Sequence, residues 1–141
     1  MLGSLGEVLP RASARFGDAT ALVIEGRSFS FRELDRLSRQ CASALVQIGV
    51  EPGDRVTLYS QNRWEWIVSY FGALGAGAVI NPINVMLTPQ EVEYVAQDCG
   101  ARVIIGSPEK VAGVTKVKVT SDVQYVVSFA YRDDDLGRWC E

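Results

Sequence analysis

The sequence predicts an α/β domain in which a mainly parallel sheet carries helices on both faces. From residue 55 to residue 129, segments with strand character alternate with segments of helical periodicity, and this order calls for right-handed βαβ units. Of the 141 residues, 48% are hydrophobic and 22% are charged, as in a domain with a packed core. A chain of this length forms one ordinary domain.

The first predicted elements are a short amphipathic helix and a hairpin. Apolar residues recur at helical spacing over residues 4–16, and Gly17 follows as a stop signal. The stretch ALVIEGRSFSF then predicts two short strands around a tight turn at Glu25 and Gly26.

Two capping boxes predict the starts of two further helices. Ser30 with Glu33 opens the first, which ends at Gly49, and Thr88 with Glu91 opens the second, which ends at Gly100. The apolar faces expected to be buried comprise Phe31, Leu34, Leu37, Cys41, Leu45 and Ile48 in the first helix, and Val92, Val95 and Ala96 in the second.

The remaining elements complete the alternation. Residues 55–60 predict a strand, and Asn62 with Glu65 predicts the start of a helix whose buried face carries Ile67, Tyr70, Phe71 and Leu74. The apolar segment AVINPI follows, then a strand at 102–106 and another at 123–129. Residues 109–121 fit either a helix or a loop.

A run of glycines, GALGAG at residues 72–77, is the obvious candidate for a phosphate-binding loop. A dinucleotide fingerprint follows a strand and opens a helix, so that helix amides face the phosphate. Here the glycines close a helix, where carbonyls are exposed, and the order of the fingerprint is reversed. We therefore predict a packing role, in which small residues let the helix end lie close to the sheet.

No residue stands out as catalytic, cofactor-binding or metal-binding, and none is predicted. The chain contains no histidine, which excludes histidine acid–base chemistry and His-ligated zinc within it. Cys41, Cys99 and Cys140 are too far apart for a disulfide framework or zinc site. Other candidates receive ordinary interpretations. Glu91 and Glu93 are not read as an acid–base pair, since Glu91 serves as a cap, and Asp133–Asp135 are read as surface. Of Trp64 and Trp66, one is expected in the core and the other exposed or at an interface.

Charge and sequence pattern argue against nucleic-acid binding and against a transmembrane segment. The net charge is −3 and no run of Lys and Arg exists, so we expect no nucleic-acid binding. Residues 66–90 lack charged side chains, but their prolines, asparagines and glycines argue against a transmembrane helix. Without a secretion signal or disulfide pattern, a cytoplasmic location is expected.

Four segments in order resemble the adenylate-forming superfamily, which includes acyl-CoA synthetases, 4-coumarate:CoA ligases, luciferases and peptide-synthetase adenylation domains. They are FSFREL at 29–34, GVEPGDRVTLYSQN at 49–62, LGAGAVINPIN at 74–84 and TPQEVEYVAQDCGARVII at 88–105. The resemblance spans roughly residues 5–130. It implies that residues 1–130 are a partial N-terminal subdomain of the large domain, with a polar tail at 131–141.

The resemblance also implies a function for the parent protein. The parent would be an ATP-dependent acid:CoA ligase that uses ATP, Mg²⁺ and CoA, with the acid unspecified. The family's Ser/Thr/Gly-rich loop followed by Pro-Lys is missing from these residues, so we expect an inactive fragment that binds none of these cofactors itself and whose partner is the remainder of the parent chain. Homo-oligomer formation is left open.

Two alternatives remain. One is a free-standing α/β interaction module that dimerises through residues 64–87. The other is a membrane-associated protein that uses the same uncharged stretch.

Overall fold

The computed structural model describes residues 3–129, which form twelve regular elements after a short 3-10 turn at Leu5–Glu7. The helices are α1 (Val8–Phe16), α2 (Phe31–Gln47), α3 (Trp64–Gly75), α4 (Pro89–Cys99), α5 (Pro108–Val111) and α6 (Val117–Thr120). The strands are β1 (Thr20–Ile24), β2 (Arg27–Ser30), β3 (Arg55–Tyr59), β4 (Val79–Pro82), β5 (Ala101–Gly106) and β6 (Tyr125–Ser128). The predicted tail at 131–141 lies outside the described residues.

A four-stranded parallel sheet in the order β4-β3-β5-β6 forms the centre of the fold, and β1 and β2 form a separate antiparallel hairpin. In the sheet, Val56 on β3 pairs with Ile80 on one side and Val103 on the other. From Val56 to Tyr59 every residue of β3 is buried, as expected of a central parallel strand covered on both faces. The predicted α/β class is confirmed.

Two hydrophobic clusters cover the two faces of the sheet. Because side chains alternate along a strand, Val56 and Leu58 enter one cluster while Tyr59 enters the other. The first cluster contains the buried faces of α2 and α3, and the second contains Val92 and Ala96 of α4. Helices therefore lie on both faces, as the alternation of elements predicted.

Both helices start where the sequence predicts, but only the one at Thr88 has a complete capping box. The Glu33 amide donates to the Ser30 hydroxyl over 3.0 Å, although the return bond from Glu33 is not part of this cap. At α4 both bonds are present, since the Glu91 amide donates to Thr88 Oγ1 and the Thr88 amide donates to the Glu91 carboxylate over 2.7 Å. Gly100 ends α4 in the left-handed conformation.

The predictions for α3 were wrong at its start and on its buried face. Its N-cap is Arg63 without a side-chain cap, so the predicted Asn62 cap does not form. The buried residues are Glu65, Val68, Ser69, Gly72 and Ala73, whereas the predicted Ile67, Tyr70, Phe71 and Leu74 are only half-buried. The physical reason is that α2 lies too close to α3 for large side chains to fit between them.

Gly72 lies at the point of closest approach between α2 and α3. A Cβ atom at this position would lie 2.5 Å from both Cβ and Sγ of Cys41 and 3.1 Å from the Ser38 carbonyl oxygen. At Gly75, one turn further on, a Cβ would meet only Ala42 at 3.4 Å, an ordinary contact. The glycine run therefore has a packing role, but its partner is helix α2 and not the sheet.

Replacement of Gly72 by Ala should destabilise the protein by about 1–3 kcal/mol, because the added methyl group overlaps Cys41. Gly75→Ala is the matched control on the same helix and should remain within about 0.5 kcal/mol of wild type. Urea denaturation followed by circular dichroism measures both. Equal stability of the two variants would contradict the packing role of Gly72.

The capping box of α4 predicts a dependence of stability on pH. Hydrogen bonds from the Thr88 amide and hydroxyl lower the pKa of Glu91 below its ordinary value of 4.5. The stabilisation that the Glu91 carboxylate gives the folded protein is therefore complete above the pKa of Glu91 in the unfolded chain. It is lost as the pH falls through the lower pKa of Glu91 in the folded protein. Glu91→Gln should lower the urea midpoint at pH 7 and have little effect at pH 3, while Asp122→Asn, an exposed control, should change neither. A constant deficit across this range would contradict the role of the carboxylate.

Candidate functional site at the carboxyl edge of the sheet

The strand order places a topological switch point between β3 and β5. From β3 the chain passes through α3 to β4 on one side, and it then returns through α4 to β5 on the other side. In open α/β sheets, ligands bind in the crevice outside the carboxyl ends of the strands at such a point. The segments that follow β3, β4 and β5 are therefore the candidate site.

Polar side chains from two of these segments bind each other across the switch point. Ser60 and Gln61 follow β3, and Ser107 follows β5. The fully buried Ser107 donates its hydroxyl proton to Gln61 Oε1 over 3.0 Å, and Ser60 donates to the Gln61 carbonyl over 2.9 Å. Gly106 permits the close approach beneath them, because a Cβ there would collide with the Tyr59 carbonyl oxygen. The two segments are thus held together directly.

An ion pair follows the same segment at the start of α3. The Arg63 guanidinium donates to the Glu65 carboxylate over 3.1 and 3.3 Å, and the Glu65 side chain is only 5% exposed. Burial lowers the pKa of Arg63, but the hydrogen bond and charge of Glu65, with Glu109 and Glu25 further away, outweigh it and raise the pKa overall. Arg63 therefore stays cationic among three carboxylates.

Glu109 continues the network from the segment after β5. A hydrogen bond from its own backbone amide lowers the pKa of its carboxyl group; burial opposes this, and Ser107, Arg63 and Gln61 reinforce it. The carboxylate is therefore ionised at neutral pH, and its charge complements the neighbouring Arg63.

The third segment, residues 83–88 after β4, is tied to the same edge. The Tyr59 hydroxyl donates to the Leu87 carbonyl over 2.5 Å, and Lys110 Nζ donates to the Val85 carbonyl over 2.7 Å while lying 5.6 Å from the Tyr59 ring centroid. Burial, and secondarily the charge of Glu91, raises the pKa of Tyr59. The phenol therefore remains a neutral donor at physiological pH.

Several polar groups at this edge already have partners within the chain. The hydroxyls of Ser60 and Ser107, the guanidinium of Arg63 and the ammonium of Lys110 already donate to groups of this chain. Across residues 3–129, no group of three or more His, Cys, Asp or Glu side chains could hold a metal ion. The prediction that the chain carries no catalytic or binding residue stays a prediction.

The residues singled out from the sequence do not come together at this edge. The glycine run lies at the opposite, amino edge, since α3 ends where β4 begins. Cys41 is buried on α2, and Cys99 is half-buried near Asn81, with 3.5 Å between Sγ and Nδ2. Glu93 contacts Thr120 and Gln97 beside α6. Asp133–Asp135 and Cys140 lie outside the described residues.

Trp64 and Trp66 do not divide into one core residue and one exposed residue, because both are half-buried. Trp64 packs on Phe29 with 5.4 Å between ring centroids, and Trp66 stacks on Tyr70 at the same separation. The Arg63–Glu65 pair was missed, and the only sequence signal for it is a charged pair beside an apolar helix.

Breaking the Arg63–Glu65 pair should be costly because it leaves a buried carboxylate without its partner. We expect Arg63→Met to destabilise the protein by about 3–5 kcal/mol, and the double variant Arg63→Met/Glu65→Met to recover most of that loss. Arg32→Met is the control, since its pair with Asp18 is 67% and 81% exposed and should contribute at most about 1 kcal/mol. A double variant no more stable than the single one would contradict this account.

No helix within the described part of the chain is both long and apolar enough to cross a membrane.

Comparison with known proteins identifies the family. A long-chain-fatty-acid–CoA ligase of Salmonella typhimurium is 36% identical over 88% of this chain and 22% of its own length. A 3-hydroxybenzoate–CoA/4-hydroxybenzoate–CoA ligase of Thauera aromatica is 36% identical over 73% of this chain and 20% of its own length. The chain thus spans about a fifth of each of these relatives.

Solved structures agree with the sequence relatives. The crystal structure of the anthranilate CoA ligase AuaEII in complex with anthranoyl-AMP superposes with a TM-score of 0.85 and 29% identity, over 96% of this chain and 27% of that one. The family model described as AMP-binding enzyme matches residues 9–138, nearly the whole chain. The protein therefore belongs to the AMP-binding, or adenylate-forming, enzyme family, and aligns with the N-terminal part of its acid:CoA ligases.

Proposed function

We propose that this chain is the N-terminal scaffold of an ATP-dependent acid:CoA ligase, whose complete form makes acyl-CoA, AMP and pyrophosphate from a carboxylic acid, ATP and CoA through an acyl-adenylate. The observation that carries the proposal is the alignment of 88% of this chain with only 22% of a long-chain-fatty-acid–CoA ligase at 36% identity. A cytoplasmic location and an acid of the fatty or aryl class belong to the same proposal.

At the carboxyl edge, donor groups already bonded within the chain support a positioning role and not the binding of ATP or Mg²⁺. Transfer at phosphorus requires preorganised cations and amides, and divalent magnesium prefers several carboxylate and phosphate oxygens. At the carboxyl edge, Arg63 is bonded to Glu65, and Lys110 to the Val85 carbonyl. We therefore assign no step of adenylation to this chain, and propose that the remaining polypeptide supplies the nucleotide and CoA sites.

The scaffold contribution is a preformed edge with fixed loops. The bonds Ser107–Gln61, Tyr59–Leu87 and Lys110–Val85 join the segments after β3, β4 and β5. Such bonds hold the loops in position without help from a ligand. A binding site formed by neighbouring polypeptide needs rigid supporting segments of this kind.

Pyrophosphate exchange into ATP tests the proposal. The purified 141-residue chain should show no exchange above background with a panel of fatty and aryl acids, whereas the longer protein that continues beyond Glu141 should show exchange with at least one of them. Exchange by the 141-residue chain would overturn the scaffold role. No exchange by the longer protein with any acid would overturn the ligase assignment.

The oligomeric state separates the scaffold from the alternative of a free-standing interaction module. If the chain is a scaffold, sedimentation velocity should show no tight homodimer. The interaction module, by contrast, would dimerise through residues 64–87. A gene that ends at Glu141 together with such a dimer would favour the interaction module. Recovery of the chain only with detergent would favour membrane association instead.

A further inference from the structure

A groove runs between α1, α2 and α3, on the side of α2 away from the sheet. Its cavity volume is about 460 Å³, which lies within the range typical of small-molecule sites. Small residues of the lining, among them Gly6, Ala42 and Gly75, leave this space because their side chains do not fill the gap between the helices. Its apolar lining comprises Leu9, Pro10, Ala42, Val46, Phe71 and Ala76.

Polar groups enter this groove from α2 alone. Asp35, Ser38, Arg39 and Ser43 all line it. Asp35 is three and four residues before Ser38 and Arg39, and Ser43 is four residues after Arg39, spacings that place neighbouring side chains on one face of a helix. Arg39 Nε donates to Asp35 Oδ2 over 3.0 Å, and the Asp35 side chain is only 13% exposed, so the carboxylate fixes the guanidinium at the groove. The remaining lining is apolar, which is the usual composition of a ligand site with a few orienting groups.

Two of these groups have unused hydrogen-bonding capacity. The terminal nitrogens of Arg39 have no hydrogen-bond partner within residues 3–129, and its side chain is 69% exposed. Ser38 is 5% exposed, yet its hydroxyl also lacks a hydrogen-bond partner in that part of the chain. The Ser38 hydroxyl oxygen itself is buried, so the exposed Arg39 guanidinium is the group of this pair that a ligand in the groove would meet.

We propose that this groove binds a monocarboxylate with a short aliphatic chain. The carboxylate pairs with the terminal nitrogens of Arg39, a geometry that guanidinium groups favour, and the aliphatic chain lies on Leu9, Val46 and Phe71. A cationic amphiphile fits less well, because the Asp35 side chain is only 13% exposed whereas the Arg39 side chain is 69% exposed. The proposal does not depend on the ligase assignment, since it requires no ATP, CoA or catalysis.

Titration of the 141-residue chain with octanoate, followed by backbone amide NMR, tests the site. Shifts should saturate and be confined to residues near the groove, chiefly 38–46 and 71–76. Octan-1-ol lacks the charge and acetate lacks the chain, so both should bind at least about fivefold more weakly. Octylammonium should bind no better than octan-1-ol.

Variants separate the site from general binding to apolar surface. Arg39→Gln should weaken octanoate binding about tenfold, while Arg36→Gln, a matched exposed arginine on α2 outside the groove, should leave it unchanged. Ser43→Trp, at an exposed position on the rim, should block the groove without removing a charge. Circular dichroism checks that each variant is folded.

The proposal is overturned if octan-1-ol binds as tightly as octanoate, if Arg39→Gln and Arg36→Gln have equal affinity, or if the shifts lie elsewhere. If Arg39→Gln does not fold, the Ser43→Trp variant decides: octanoate binding equal to wild type overturns the proposal.

Discussion

The close approach of α2 to α3 at Gly72 and Cys41 is the constraint on which the rest of the structure depends. Helix α2 belongs to the N-terminal region with α1 and the hairpin, whereas α3 is the crossover between two strands of the sheet. Their contact joins these two regions into one core, in which Leu37, Leu45 and Val68 are fully or almost fully buried. Because no Cβ fits at position 72, the distance between the helices is set by backbone and sulfur contacts.

This constraint also explains why α3 is unusual. A helix packed this closely presents small side chains to its neighbour, so Ser69, Gly72 and Ala73 are buried and the aromatic residues are displaced to a half-buried outer face. There Trp66, Tyr70 and Phe71 pack on one another. On the outer side of α2 and α3, Gly75 and Ala76 leave the groove that the aromatic residues do not fill.

The carboxyl edge of the sheet follows a different principle, that of polar groups satisfied within the chain. Buried polar groups require partners, and the buried Ser107 and Tyr59 find them in Gln61 and the Leu87 carbonyl of the adjoining segments. The location that topology marks for a ligand is therefore occupied by the chain's own hydrogen bonds. In the proposed ligase, this makes the edge a support for sites built from other residues, which agrees with the family relationship of the chain.

By itself, the sequence determined the fold class, the two strong helix starts at Ser30 and Thr88, the family relationship and the exclusion of histidine chemistry. The fold class, the helix starts and the exclusion depend on periodicity, local hydrogen bonds and composition, and the family relationship depends on four ordered segments; all are readable along one chain. Only the tertiary structure decided which face of α3 is buried, that Gly72 packs on Cys41, and that Arg63 and Glu65 form a buried pair. Periodicity measures hydrophobicity, whereas the available space between two helices depends on residues 31 positions apart in the chain, as Cys41 and Gly72 are.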